Sequence, residues 1–547
     1  MNFFFLRFTA FFTLLLFLFS GCSSSDGTGR IIRYDINQGV SNLDPQFATD
    51  ETARMIISNT FEGLFRLLPD GSVQPALANS YTVSDDGLVY TFHLREDAFW
   101  SAPDRDHPSE PVTAHDFVFA FQRLFQPDTV SPFASSLLNI AHAEDILNGT
   151  APVSALGVEA LDTRTVRIIL KERETMLPSL LANTYAMPCR EAFFNSTRGR
   201  YGLSAGTLIF NGPFKIQNWD NESSISLRKN SVYYGSVVPA GVTFSIPSAI
   251  AKTAEANFIS DPVQRFLNGT TDACKIDYGL ASQVEQSGGT ITSFEDTVWV
   301  LALNNDPEKA CRFSSIDIRQ AVAFAVDRSL FAEELPDNMS VTSTLIPPAI
   351  PSNGRSFREV AGNAAPLTYS PDLARRAYRK GMEDLQADSL AFGQILICDE
   401  PAQNMVAGYL QRTLQQYLAS PIGITTVSRE ELLQRVSSGD YSAAVIPLTA
   451  DYASPDAIFS YFRSNSPSNF TSFQNSRFDD LLDSLSGASA QEQEEVFSQA
   501  EQLLLTECPV IPLFYETSYY GAAKGVSGID FAPFLSGMRF ENAQKIS

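Results

Sequence analysis

Gly202-Leu203-Ser204-Ala205-Gly206 matches the G-x-S-x-G pattern, in which a serine on a tight strand-to-helix turn attacks a carbonyl carbon. That chemistry needs a histidine to take the serine proton, and in the fold that carries the motif the histidine follows the serine. The 4 histidines here, His93, His107, His115 and His142, all precede Ser204. The stretch Ser196 to Tyr201 is polar and basic, so no apolar strand leads into the motif. The pattern reads as a loop, and a surface serine hydrolase using Ser204 is disfavoured. Metal chemistry has no support either: the histidines form no His-x-x-x-His pair, and His107 and His115 flank a proline-rich turn. Cys189, Cys274, Cys311, Cys398 and Cys508 form no Cys-x-x-Cys, and there is no P-loop or G-x-G-x-x-G. Carboxylates are plentiful, and ordinary surface placement accounts for them. Neither an enzyme nor a cofactor or metal is expected.

Cys22 suits a different chemistry. Arg7 lies in a short leading region, Phe8 to Phe19 is an almost unbroken apolar run, and Ser20-Gly21 supplies small residues. This is the layout of a secretory signal, with an apolar run too short to span a bilayer. Leu18-Phe19-Ser20-Gly21-Cys22 resembles a bacterial lipobox, whose cysteine takes a diacylglycerol thioether, although Phe19 is bulkier than the residue usual there. Residues 1–21 are therefore expected to be a signal peptide, and 22–29 a lipidated cysteine followed by a flexible tether rich in Ser and Gly.

Composition narrows the partners. Lys plus Arg total 39 against 62 for Asp plus Glu, a formal charge of -23. Such a body repels phosphate backbones, which argues against nucleic acid, and repels anionic headgroups, so a membrane link has to be covalent. No later segment is long and apolar enough to cross a bilayer. Cys22 aside, the cysteines are odd in number, so at least one thiol has no intrachain partner; which of them pair, if any, stays open.

The elements that position side chains follow from periodicity. Ile31 to Ile36 reads as an opening strand, Ala53 to Leu67 as a helix ending near Pro69-Asp70-Gly71, and Leu88 to Leu94 as a strand. Thr113-Ala114-His115-Asp116 has the spacing of a capping box, opening a helix with Phe117, Phe121, Leu124 and Phe125 on one face. Ser315 caps a helix from Ile316 to Leu330, and Ser370-Pro371 opens another that stops at Gly381. Then Gln394–Cys398, Gln403–Leu418, Ile422–Val427, Arg429–Val436 (capped by Ser428) and Ala443–Leu448 alternate as β-α-β-α-β. Right-handed crossovers fold that pattern into a parallel sheet, which binds ligands beyond the carboxyl ends of its strands. Thr449-Ala450-Asp451-Tyr452 is delivered to that edge.

Several segments in order resemble the solute-binding proteins of peptide ABC importers, the oligopeptide- and dipeptide-binding type of extracellular solute-binding protein family 5. They are Ser41-Asn42-Leu43-Asp44-Pro45; Ser84 to Arg95 with Trp100-Ser101; Pro111 to Val118; Asn211-Gly212-Pro213-Phe214; Arg319 to Arg328; and Ala450 to Asp456. The resemblance covers nearly the whole mature chain. It implies an α/β fold of the periplasmic-binding-protein-like type II, two α/β lobes around a ligand cleft with an extra lobe inserted in the first. On that pattern 30–74, 200–300 and a C-terminal return over 508–547 form lobe I, 75–199 the inserted lobe, and 301–507 lobe II.

The function implied is a lipid-anchored extracytoplasmic receptor, acting as a monomer, that binds a peptide between lobes as an added strand and delivers it to a membrane permease. By motif, Asp451 receives the ligand's α-ammonium, with Thr449, Tyr452 and Phe133 around the ligand; a local turn pinned by Asp451 is the competing account. Phe133 stands where relatives carry a tyrosine, and Pro447 lacks an N–H for strand-like pairing. Those two losses keep an oligosaccharide, opine or nickel complex open as the cargo of the same fold. The charged loop Ala102 to Glu110 replaces a short Asp-Gly turn and has no functional account.

Overall fold

The computed structural model describes residues 29–36, 39–104, 110–174, 176–220, 223–250, 261–309, 312–363, 365–450, 452–464, 466, 468–485, 488–533 and 538–546. Cys22 with the whole leader, Cys311, Asp451 and part of the 102–110 loop lie outside the described residues. Among those described, no helix is long and apolar enough to cross a membrane.

One 11-stranded sheet organises the chain. Its strands are β1 (Ile31–Asp35), β2 (Phe214–Asp220), β3 (Ser224–Lys229), β4 (Gly241–Ser245), β5 (Ala273–Ile276), β6 (Thr290–Leu303), β7 (Met339–Val341), β8 (Gly393–Cys398), β9 (Ile422–Val427), β10 (Ala443–Thr449) and β11 (Val510–Ala522). Their order is β2-β3-β4-β1-β5-β11-β6-β10-β8-β9, with β7 pairing β11. β1 runs parallel to β4 and β5, and β8 parallel to β9 and β10. The two long strands β6 and β11 run antiparallel between these blocks and belong to both. A separate four-stranded sheet is built from Ala78–Val83, Val89–Leu94, Thr165–Ile169 and Val158–Asp162.

The β-α-β-α-β expectation holds, with helices Pro401–Leu418 and Arg429–Ser437 between the parallel strands and Ser428 capping the second at Glu431 N–H. Three helix ends differ from the sequence reading. The helix α1 covers Glu51–Thr60, capped by Asp50, and stops well short of Leu67. Asn211 stops it: its side chain accepts from Glu62 N–H (3.1 Å) and donates to Glu62 C=O (2.9 Å), pulling the chain into extended conformation. Gly212 must follow, because a Cβ there would lie 2.6 Å from the backbone of Thr60 and Phe61.

The helix from Ile316 ends at Ala325 rather than Leu330. Half-buried Arg328 instead turns in, donating through Nε to Pro512 C=O (2.9 Å) at the start of β11. Gly381 does not end its helix, which runs Pro371–Asp384. A Cβ on Gly381 would sit 2.8 Å from Ile318 Cδ1, so this glycine permits close helix packing rather than a stop.

Other quoted motifs have similar structural duties. Asp44 pairs with buried Arg123, whose Nη1 lies 3.1 Å from Oδ1. The Asp116 carboxylate accepts from Thr113 N–H (2.8 Å) and the Trp100 indole N–H (3.1 Å), closing the capping box and tying two motifs together. Arg319, 5% exposed, donates to the carbonyls of Phe313, Ser314 and Glu507. Cys189, Cys274, Cys398 and Cys508 are buried free thiols.

Candidate functional site

A cavity of about 640 Å³ opens where the two blocks of the sheet meet, within the range of about 300–1,000 Å³ usual for small-ligand sites. Register places it. On one edge of β11, β5 pairs with Tyr519 to Ala522 and β7 with Phe514 to Glu516. Among the described residues no strand pairs with Thr517 or Ser518 on that edge, although Thr517 N–H donates to Asn338 C=O (2.8 Å). The cavity occupies this gap and extends to the carboxyl ends of β1 and β5, at Asp35 and Asp277, where open α/β sheets bind ligands.

The wall is charged and aromatic. Asp35, 6% exposed, pairs with Arg265 at 2.7 Å; burial raises its carboxyl, and Arg265 opposes that rise. Glu516 accepts the Trp299 indole N–H at 2.7 Å, and Trp299 stacks on Phe514 with centroids 5.8 Å apart. Asp296 lies at the register shift between Glu295 and Thr297, where β6 passes from one block to the other. Burial pushes its carboxyl up to about 6, Lys275 and hydroxyl bonds from Ser518 (3.1 Å) and Thr297 (3.0 Å) lower it, and Glu516 raises it further.

Of the residues expected from sequence, Thr449, Tyr452 and Phe133 are not in the lining of this cavity. Thr449 is exposed at the end of β10, in register with Thr297, which is itself in register with Glu516. Two strand spacings, about 10 Å, separate Thr449 from Glu516 along that row. Tyr452 is half-buried and donates its hydroxyl to Asp456 Oδ2 at 2.8 Å. Phe133 is half-buried and stacks on Tyr185, centroids 5.2 Å apart. Asp451 lies outside the described residues, two positions past Thr449.

Pro447 lies in β10 opposite Trp299. Along β10, β8 pairs with Ala443 and Ala444, and among the described residues no strand covers that edge from Val445 onward. Ser204 is exposed and opens a short 3-10 turn, its Oγ 3.3 Å from Thr207 Oγ1, in keeping with the loop reading. Among the described residues no group of three or more His, Cys, Asp and Glu could hold a metal ion.

Sequence reasoning missed Glu516, Lys275 and Tyr520 because it did not assign β5 or β11. The available signal was the run Leu513 to Tyr520, rich in aromatic residues and suited to a strand.

Residues 72–470 match the family described as Bacterial extracellular solute-binding proteins, family 5 Middle. The dipeptide-binding protein DppE of Bacillus subtilis (strain 168) is 23% identical over 531 residues, covering 94% of each chain. The probable deoxycholate-binding periplasmic protein YgiS of Escherichia coli (strain K12) is 25% identical over 495 residues, 89% of this chain and 88% of that one. The crystal structure of an oligopeptide ABC transporter from Bacillus anthracis str. Ames (substrate-binding domain) superposes with a TM-score of 0.73 at 25% identity, over 95% of this chain and 99% of that one.

Proposed function

The chain belongs to the bacterial extracellular solute-binding proteins of family 5, and from that premise we propose that it captures peptides outside the cytoplasmic membrane and hands them to an ABC importer permease. It has the periplasmic-binding-protein-like type II fold and is a binding protein rather than an enzyme. The observation that carries the peptide reading is the cavity beside the crossing strands, with the outer edge of β10 from Val445 onward left without a described strand partner. Such edges pair with an extended peptide through main-chain hydrogen bonds, which tolerate many side chains. The name of the relative DppE points the same way. Residues 30–74, 200–300 and 508–547 then act as one lobe, 301–507 as the second and 75–199 as the inserted lobe, closing on the ligand as a monomer.

In this reading Asp451 takes the ligand's α-ammonium, with Thr449, Tyr452 and Phe133 near the peptide. Calorimetry of the leaderless protein with a pool of short peptides tests it. Free peptides should bind, and their N-acetylated counterparts at least about tenfold more weakly, since acetylation removes a charge-assisted bond worth about 1.5–3 kcal/mol. Equal binding of the two pools would remove Asp451 from this role. YgiS, named for a bile acid rather than a peptide, favours a second reading in which the same fold takes a non-peptide ligand. Failure of every peptide to bind would turn the assignment to that reading.

We also propose that Cys22 carries the anchor and that residues 23–29 are the tether. A tether keeps the receptor near its permease and raises effective concentration without adding a contact. Intact-mass measurement of protein from membranes should show a chain beginning at Cys22 with added acyl mass. A mature chain that starts elsewhere, or carries no lipid, would refute the anchor.

A further inference from the structure

The lining of the cavity narrows the peptide reading, on which this inference rests. Among the described residues, no lysine or arginine comes within ion-pair distance of Glu51, Asp261, Asp277 or Glu516, all of which face the cavity. A fifth lining carboxylate, Asp35, is already satisfied by Arg265 at 2.7 Å. Lys275 is the one cationic residue in the described lining.

A second observation comes from behind the wall. Asp296, 7% exposed, takes the hydroxyls of Ser518 and Thr297 on the same oxygen, Oδ1, and no described group donates to Oδ2. Lys275 acts on Asp296, so part of the single lining cation's field is already directed at that acid. Rings complete the surface: Tyr278 and Tyr519 both line it and lie 5.5 Å apart at 56°, and Tyr34 and Tyr520 line it too.

A concave, partly dry site lined by one sign of charge focuses the field and raises the local concentration of the opposite sign. Aromatic faces add attraction for a cation, and a long aliphatic stem packs on them while its charged head stays hydrated or paired. We infer that this cavity selects peptides bearing a lysine or arginine side chain, with the cationic head held between Glu516 and Asp277 and the stem against the tyrosine rings. An acidic side chain meets repulsion there, and a neutral one of the same length loses the charge-assisted bond.

The test is calorimetry of the leaderless protein with three matched tripeptides, Ala-Lys-Ala, Ala-norleucine-Ala and Ala-Glu-Ala, at low and high salt. The lysine peptide should bind about tenfold or more tightly than the norleucine peptide, and the glutamate peptide most weakly. High salt should shrink these ratios. The double variant Asp277→Asn, Glu516→Gln should bring lysine and norleucine peptides close to equality, and an unchanged thermal midpoint reports an intact fold. Equal binding of the three peptides would overturn the cationic preference and leave the peptide reading standing. Persistence of the lysine preference in the double variant would also overturn it. Binding of none of the three would overturn both readings.

Discussion

Replacing Asp451 by alanine should weaken peptide binding by about 3–5 kcal/mol, a loss of at least a hundredfold in affinity. The size follows from what is left behind. A ligand α-ammonium enclosed between two lobes and stripped of water needs a carboxylate partner, and removing one member of such a pair strands the other charge. The sequence position supports the role: Asp451 comes two residues after Thr449, where β10 ends, and crevices open beyond the carboxyl ends of parallel strands. Asp451→Asn keeps the shape and should lose most of the same affinity, because an amide offers no full charge. Titration calorimetry with one free tripeptide measures both, and an unchanged thermal midpoint confirms that folding is intact. An affinity within twofold of the parent would show that Asp451 is a solvated turn residue.

The largest effect on stability should come from Glu62. Its side chain is fully buried and pairs with Arg66 and with Arg539 (3.4 Å), while the Tyr233 hydroxyl donates to it at 2.6 Å. Arg66 and Arg539 also reach Glu541, at 3.2 and 3.0 Å, so one cluster joins the end of α1, the Tyr233 segment and the C-terminal stretch. Glu62→Ala leaves buried Arg539 and partly buried Arg66 to share Glu541 alone and should cost about 3–5 kcal/mol, a large part of a typical total of about 5–15 kcal/mol. Urea unfolding of the leaderless protein should show a lower midpoint; a midpoint within error of the parent would mean that water replaces the lost carboxylate.

The same group gives a pH dependence. Burial would raise the Glu62 carboxyl, but Arg539 and Arg66, with the Tyr233 bond, hold it below the ordinary glutamate range. The unfolded chain therefore binds this proton more readily than the folded one. The stabilisation is complete above the unfolded value of about 4.3 and is lost as pH falls below it through the lower folded value. Glu62→Ala should flatten the fall in stability below about pH 4.

The parts of the fold legible in the sequence were those whose signals are local. Caps at Ser428 and Thr113 and the alternation from Gly393 to Thr449 act within a few residues, and they survive folding unchanged. The three misread helix ends were decided at long range, by Asn211 gripping Glu62, by Arg328 reaching Pro512 and by Ile318 crowding Gly381. No window of sequence contains both partners in those contacts. Most quoted motif residues likewise hold the scaffold: Asp44 meets Arg123, Asp116 meets Trp100, and Arg319 caps carbonyls around Glu507. The carboxylates of the cavity were invisible for a related reason. Asp35, Asp277 and Glu516 come from strands far apart in sequence, and only the sheet order brings them to one wall.

That sheet order also sets a timetable. β11 lies in the middle of the sheet, between β5 and β6, yet it is the last of the eleven strands to be synthesised. Until residue 522 has been made, the two blocks have no complete seam, and the nascent chain holds two unfinished half-sheets with open edges. Closing contacts so distant in sequence is slow, and unpaired edges recruit wrong partners meanwhile. A chain released a few dozen residues early would therefore lack its seam altogether, so a C-terminal truncation before Val510 abolishes the joined fold rather than trimming it.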